Sequence, residues 1–170
     1  DHFELQELLD ILASRPVEDR EELAHWHANW LLCTFGGYDT ITEVDSLDCS
    51  RDYFTAGSLV VRGDAKVAGR LIAHHVHVGG DLAAGEVRLS GRLDVGGDLQ
   101  TVYRAESAAI RVGGNAISEQ SFLRAASGDV VVAGSVSVKS EVTADTGTVK
   151  VGGDVTCGEG VYARAKEIGG

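Results

Sequence analysis

A glycine followed by Asp or Asn returns every seventeen residues along the middle of this chain, and this period limits the folds open to it. The pairs are Gly63-Asp64, Gly80-Asp81, Gly97-Asp98 and Gly114-Asn115. One repeat of this length cannot bury an apolar face alone, so successive repeats must stack on one another. The period therefore predicts a coiled stack instead of a globule.

The repeat extends from Leu47 to Gly170 as seven units of 17–20 residues, most of which end in an aliphatic residue followed by Gly-Gly. The units are 47–63, 64–80, 81–97, 98–114, 115–134, 135–153 and 154–170. The two long units carry three and two extra residues, which we expect to bulge from the wall near 118–121 and 145–147. Such insertions mark a binding face or are neutral surface loops.

Apolar residues alternate within each unit, as in Val76/Val78, Leu93/Val95 and Ile110/Val112. Alternation is typical of strands. We therefore predict a mainly β fold, a single-stranded parallel β-solenoid (β-helix) of about seven 17–20-residue coils. The corner glycines are expected to supply positive φ angles, and the Asp or Asn to bond nearby backbone.

Other repeat folds do not fit the pattern. Left-handed hexapeptide acyltransferases need coils in multiples of six, and leucine-rich repeats need spaced leucines with an asparagine ladder. Calcium-binding repeats need several Asp per unit, whereas four of the seven units here have a single Asp at the turn and the others have none there.

The first 46 residues predict an acidic helical hairpin. Apolar residues recur at helical spacing in 3–13, Pro16 follows, and a second helix is expected over 17–34, before Gly36-Gly37. The predicted domains are an α-helical cap over 1–46, which covers the first coil, and the parallel β-helix over 47–170.

Most of the negative charge lies in the helical segment. Residues 1–46 carry eleven Asp/Glu against two Arg, whereas residues 47–170 carry fifteen against thirteen Lys/Arg. The segment is expected to engage a basic protein partner. Its candidate contact residues are Glu18, Asp19, Glu21, Glu22, His25 and Trp26. The alternatives are a solvated acidic face and an aromatic helix face docked on the solenoid.

The same charge distribution argues against nucleic acid and against an anionic membrane surface as partners. No apolar run is long enough for a membrane span. Three separated cysteines, Cys33, Cys49 and Cys157, favour buried thiols in a reducing compartment, so we expect a cytoplasmic protein.

Signals for catalysis are weak, and we predict neither a catalytic residue nor a cofactor. His75 and His77 are weak candidates for metal ligands, because alternation places them on one face. The buried positions in that strand belong to Val76 and Val78, so a solvated polar face is the alternative.

The valine-rich units that end in Gly-Gly-Asp, as in 78–82, 95–99 and 151–155, resemble bactofilins and related polymer-forming β-helix proteins of bacteria. The resemblance covers about two thirds of the chain and implies a non-enzymatic scaffold without nucleotide that assembles through its solenoid ends. For this chain, it would place self-assembly, or a homodimer, at the C-terminal coil. The candidate residues are Val161, Tyr162 and Ile168. Bactofilins usually carry a short flexible tail where this chain has its predicted helices.

Three hypotheses follow. The first is a non-catalytic protein-binding module whose acidic helical end engages a basic protein, for example as a toxin-neutralising immunity protein. The second is a bactofilin-like self-assembling cytoskeletal scaffold. The third is a metal-dependent β-helix enzyme.

Overall fold

A computed structural model describes residues 40–170, which form a parallel β-solenoid of eighteen strands with no helix in that range. The predicted helices over 3–13 and 17–34 lie outside the described residues. The strands are β1 (Ile41–Val44), β2 (Leu47–Cys49), β3 (Tyr53–Phe54), β4 (Ser58–Val61), β5 (Ala65–Ala73), β6 (Val76–Val78), β7 (Leu82–Leu89), β8 (Arg92–Val95), β9 (Leu99–Thr101), β10 (Ala105–Ser107), β11 (Ala109–Val112), β12 (Ala116–Ser118), β13 (Leu123–Ala125), β14 (Val130–Val132), β15 (Val136–Val138), β16 (Glu141–Val151), β17 (Val155–Cys157) and β18 (Gly160–Ile168).

The strands stack into three parallel sheets, because each turn contributes one segment to each of three faces. Face I contains β1, β4, β6, β8, β11, β14 and the C-terminal halves of β16 and β18. Face II contains β2, the start of β5, the start of β7, β9, β12, β15 and β17. Face III contains β3, the end of β5, the end of β7, β10, β13 and the N-terminal halves of β16 and β18. The prediction of a parallel β-solenoid is confirmed.

The described solenoid has about eight turns and begins before residue 47. Strand β1, Ile41–Val44, pairs in register with Ser58–Val61 of β4. The sequence pattern predicted that these residues belong to the N-terminal domain and that the coils begin at Leu47. The first strand was missed because it precedes the first Gly-Asp pair, which served as the marker of each coil.

The core is a set of stacked columns in which equivalent residues of successive turns touch. On face I, one inward column runs through Val61, Val78, Val95, Val112 and Val132, all of them buried. The alternation predicted from the sequence therefore points each valine inward and its neighbour outward. This arrangement buries one continuous apolar core along the solenoid axis.

The corner glycines do not adopt the positive φ angles expected from the sequence. Among the described residues only Gly160 has a positive φ, of 149°, and it lies at the start of β18. The glycines of the Gly-Gly pairs are required for another reason, the close approach of the preceding turn, which is described below.

Most of the extra residues of the two long units lie at the corner between faces III and I. Residues 123–125 pair with 142–144, and residues 130–132 pair with 149–151, so 126–129 and 145–148 form matching connections. The expectation for 145–147 is confirmed. In the first long unit one extra residue lies within 119–122, close to the 118–121 expected, and the other two lie at 126–129, as the pairing of β13 with β10 and of β14 with β11 shows.

Candidate functional site

A ladder of side-chain hydrogen bonds joins the turns at the corner between faces I and II. The Oδ1 of Asp64 accepts a hydrogen bond of 2.9 Å from the backbone N–H of Asp81, and Asp81 accepts one of 2.8 Å from Asp98. The ladder continues through Asn115 and Ser135 to Asp154. The repeated Asp therefore bonds the next turn, and not its own turn as a simple turn former would.

A glycine precedes the donor in every bond of this kind among residues 40–170. Eight backbone N–H groups in this range donate to a side chain of the preceding turn, over 2.7–3.1 Å. The donors are Arg70, Asp81, Arg92, Asp98, Asn115, Ser135, Thr148 and Asp154, and the residue before each is glycine. A Cβ at any of these glycines would collide with the accepting side chain. The two residues of a Gly-Asp pair therefore act together. The glycine leaves room for the accepting side chain of the preceding turn, and the Asp side chain accepts a hydrogen bond from the following turn.

The same arrangement occurs with a histidine at the corner between faces III and I. The Nδ1 of His75 accepts a hydrogen bond of 2.8 Å from the backbone N–H of Arg92, and Gly91 makes room for the ring. Asp129 takes this role three turns later, where its Oδ1 accepts from Thr148 over 2.7 Å. His75 is thus a structural acceptor, which alternation along its strand could not reveal.

A groove of about 640 Å³ crosses the outer surface of face I from the second turn to the sixth. Its polar lining includes His75, His77, Arg92, Asp94 and Arg111. The small residues Ser58 and Ala109 lie at the bottom of the groove. The insertion at the corner between faces III and I contributes Gly128 and Asp129 to one wall. The groove brings charged side chains of three successive turns together, which are Arg92 and Asp94, Arg111, and Asp129.

The two histidines of the metal hypothesis both line this groove, but each has another bond. His75 bonds the backbone of Arg92, and the His77 Nδ1 lies 3.3 Å from the Asp94 carboxylate. The His74 and His75 rings also lie against each other, with centroids 4.0 Å apart. Within residues 40–170, no three His, Cys, Asp or Glu side chains are placed to share a metal ion.

Burial lowers the pKa of His75 below its ordinary value, and the nearby His74 and Arg92 lower it further. This direction agrees with the geometry, because Nδ1 can accept the Arg92 N–H bond only while it carries no proton. The ring is therefore held neutral, with its proton on Nε2.

Arg92 and Arg111 differ from the other arginines of the central turns. Of the seven arginines between residues 62 and 124, five form an ion pair with a carboxylate. Neither Arg92 nor Arg111 has a carboxylate within ion-pair distance among the described residues. Asp94 lies directly opposite Arg111 in the strand register, yet it bonds His77. Neither arginine was predicted as a site residue from the sequence, because ion pairing depends on which residues meet across turns.

The three residues predicted for self-assembly lie in the last described strand, β18. Val161 points inward and is half-buried against the core, Tyr162 points outward and is 51% exposed, and Ile168 is 44% exposed. Within the described residues, β17 and β18 pair along one edge only, with β15 and β16. The predicted partner-binding residues, from Glu18 to Trp26, lie outside the described residues.

No family model, curated protein or solved structure matches the chain. Within residues 40–170 there is also no helix with the length and apolar character needed to cross a bilayer. The fold and its geometry define the chain as a parallel β-solenoid.

Proposed function

We propose that this chain is a non-catalytic protein-binding module, in which a rigid solenoid carries an acidic N-terminal segment that engages a basic protein. A toxin-neutralising immunity protein is one concrete form of this function. The two cysteines of the described residues, Cys49 and Cys157, are free thiols, which supports the cytoplasm as its location.

The observation that carries the proposal is the contrast between the two parts of the chain. On the solenoid, many charged side chains pair with one another across turns, as Arg104 does with Glu86 at 2.7 Å and Lys150 with Glu167 at 2.9 Å. Residues 1–40, which precede strand β1, hold nine acidic residues and only two arginines. The acidic segment therefore has far too few cations of its own, and a basic surface would supply them.

A binding titration tests the proposal with a fluorescein-labelled basic peptide, five repeats of Lys-Ser, and the full chain. We expect affinity to fall by about tenfold or more between 20 and 200 mM salt, since charge pairing at an exposed surface is screened. Neutralising the predicted contacts should abolish binding, in the variant with Glu18→Gln, Asp19→Asn, Glu21→Gln and Glu22→Gln.

A matched variant removes four negative charges from the solenoid instead. Its substitutions are Asp48→Asn, Glu119→Gln, Glu141→Gln and Glu159→Gln. Binding should persist in this variant. An equal loss in both variants would show that only the net charge matters and would reject the N-terminal segment as the binding element.

A second candidate function is a bactofilin-like scaffold, which the last described turn supports. Its inward residues Val155, Cys157, Val161 and Ala163 are only partly buried, although the equivalent residues of the preceding turn, Val136, Val138, Val142 and Ala144, are buried. A second copy stacked on β17 and β18 would cover these residues and extend the backbone ladder.

Sedimentation velocity over a hundredfold concentration range separates the two candidates. Growth into large oligomers that Val161→Lys abolishes, while Ile117→Lys in the middle of the solenoid does not, would support the scaffold. A constant mass at all concentrations would reject it.

A further inference from the structure

We infer that the groove on face I is a second binding site, which takes an extended acidic peptide through Arg92 and Arg111. This site is separate from the acidic N-terminal segment of the proposed function. The acidic character of the ligand follows from the guanidinium groups of Arg92 and Arg111, which line the groove without a carboxylate partner among the described residues.

The first step concerns the arginines themselves. Four of the seven arginines between residues 62 and 124 pair with a carboxylate of a neighbouring turn, as Arg70 does with Asp52 and Arg124 with Asp145, and Arg88 pairs with Glu86 of its own strand. The two arginines without such a partner both line the same groove, on adjacent turns. A guanidinium binds a carboxylate with two parallel hydrogen bonds, so two such groups in one groove select an anionic ligand.

The second step concerns spacing. Arg92 lies opposite Ala109, and Arg111 is two residues further along the same strand. With strands about 4.8 Å apart and a rise of about 3.3 Å per residue, the two Cα atoms are roughly 8 Å apart. Alternate side chains of an extended peptide lie about 7 Å apart on one side. The spacing therefore fits a Glu-X-Glu segment.

The third step concerns the shape of the groove. It extends over five turns, which corresponds to roughly 19 Å at about 4.8 Å per turn. The corner insertion raises one wall at Gly128 and Asp129, and Ala109 leaves the floor low between longer side chains. An extended segment of about six residues has this length. Among residues 40–170 no Tyr, Trp or Phe lines the groove, so these residues offer no aromatic platform on which a sugar ring would stack.

The groove also contains acidic groups, and these determine where the ligand sits. Asp94 is bonded to His77, and Asp129 accepts the Thr148 N–H through Oδ1. Both carboxylates would repel an anionic ligand. The ligand carboxylates are therefore expected at the two guanidiniums, and its uncharged residues near Asp129.

Fluorescence anisotropy with the full chain tests the inference, using a fluorescein-labelled peptide of sequence Glu-Ser-Glu-Ser-Glu-Ser at 100 mM salt. At this salt the screening length is about 10 Å, which weakens long-range repulsion by the acidic residues of the chain but not direct contacts. We expect saturable binding that weakens by about tenfold or more when both arginines are replaced, in Arg92→Gln with Arg111→Gln.

The matched control removes two positive charges that lie outside the groove, in Lys66→Gln with Lys139→Gln, and should bind as the unmodified chain does. An equal loss in both double variants, or no binding by the unmodified chain, would overturn the inference. Binding of tetragalacturonate in the same groove without binding of the peptide would also overturn it and indicate an acidic sugar.

The variant that neutralises Glu18, Asp19, Glu21 and Glu22 should still bind the acidic peptide, so the two proposals can fail separately.

Discussion

Asp81 accepts the backbone N–H of Asp98 through its Oδ1 at 2.8 Å, and Gly97 stands where a side chain would block that bond. The two residues are one turn apart, so the bond connects turns and is repeated along the corner. It gives the Gly-Asp period a physical cause, since the glycine and the Asp each serve a different neighbour. Predictions about stability follow from this arrangement.

Gly97→Ala should destabilise the solenoid by about 2 kcal/mol or more, since the new Cβ collides with the Asp81 carboxylate. Adding Asp81→Ala removes that obstacle, so the double variant should lose less than the sum of the single losses. Gly63→Ala is the matched control, because its Cβ would meet only the Asp45 carbonyl, at 3.0 Å. Urea unfolding measures the four variants, Asp81→Ala alone among them, against the unmodified chain. Equal losses of unfolding free energy in Gly63→Ala and Gly97→Ala would contradict the role of Gly97 in making room for the Asp81 carboxylate.

Stability should fall as the pH drops below about 6.5, through the titration of His75. The pKa of His75 is lowered in the folded chain, so the unfolded chain binds its proton first on acidification. The contribution is therefore fully present above the unfolded pKa and is lost as the pH falls from there towards the folded pKa. Protonation of Nδ1 would also break the bond from Arg92.

His75→Asn is the matched variant for this effect, because an amide oxygen can accept the same bond without titrating, as Asn115 does. Thermal unfolding from pH 5 to pH 8 should show a steeper loss of Tm in the unmodified chain than in the variant. Parallel curves would show that His75 does not control the acid response.

The Asp145 carboxyl should titrate below its ordinary range, because the Arg124 side chain donates hydrogen bonds to it and holds its pKa down. Its contribution to stability is present above the unfolded pKa of about 3.9 and is lost as the pH falls below that value. In Arg124→Gln the carboxyl should return towards its ordinary pKa. A carbon-detected NMR titration measures both proteins, and an unchanged midpoint would contradict the pairing.

Leu99→Ala should cost about 2–5 kcal/mol, because this side chain is completely buried in the column of face II. Ile117→Ala is a suitable control on the same face, since Ile117 points outward and is 39% exposed. Its loss should be well below 1 kcal/mol. Equal midpoints of urea unfolding for the two variants would contradict the inward and outward assignment.

The sequence predicted correctly those features that depend on the order of residues within a single repeat. The alternation of Val76 and Val78, or of Leu93 and Val95, is local, and stacking turns it directly into inward columns. The first strand, Ile41–Val44, was missed because no Gly-Asp pair precedes it. Two of the three extra residues of the first long unit were placed too early, because the sequence alone does not show which strand keeps its register.

The candidate site depended on contacts that the sequence does not show. His75 and His77 were recognised as neighbours on one face, but the bond from His75 to Arg92 was not predicted. Arg92 and Arg111 were not recognised, since an arginine without a partner is identified only once every other pairing across the turns is known.

By itself, the sequence determined the period, the parallel solenoid and the inward alternation, because these follow from spacing along the chain and from the burial of apolar side chains. The tertiary structure decided the role of the glycines, the bonds of the histidines and the groove on face I. Each of these depends on residues about seventeen positions apart that meet only after the turns have stacked in register.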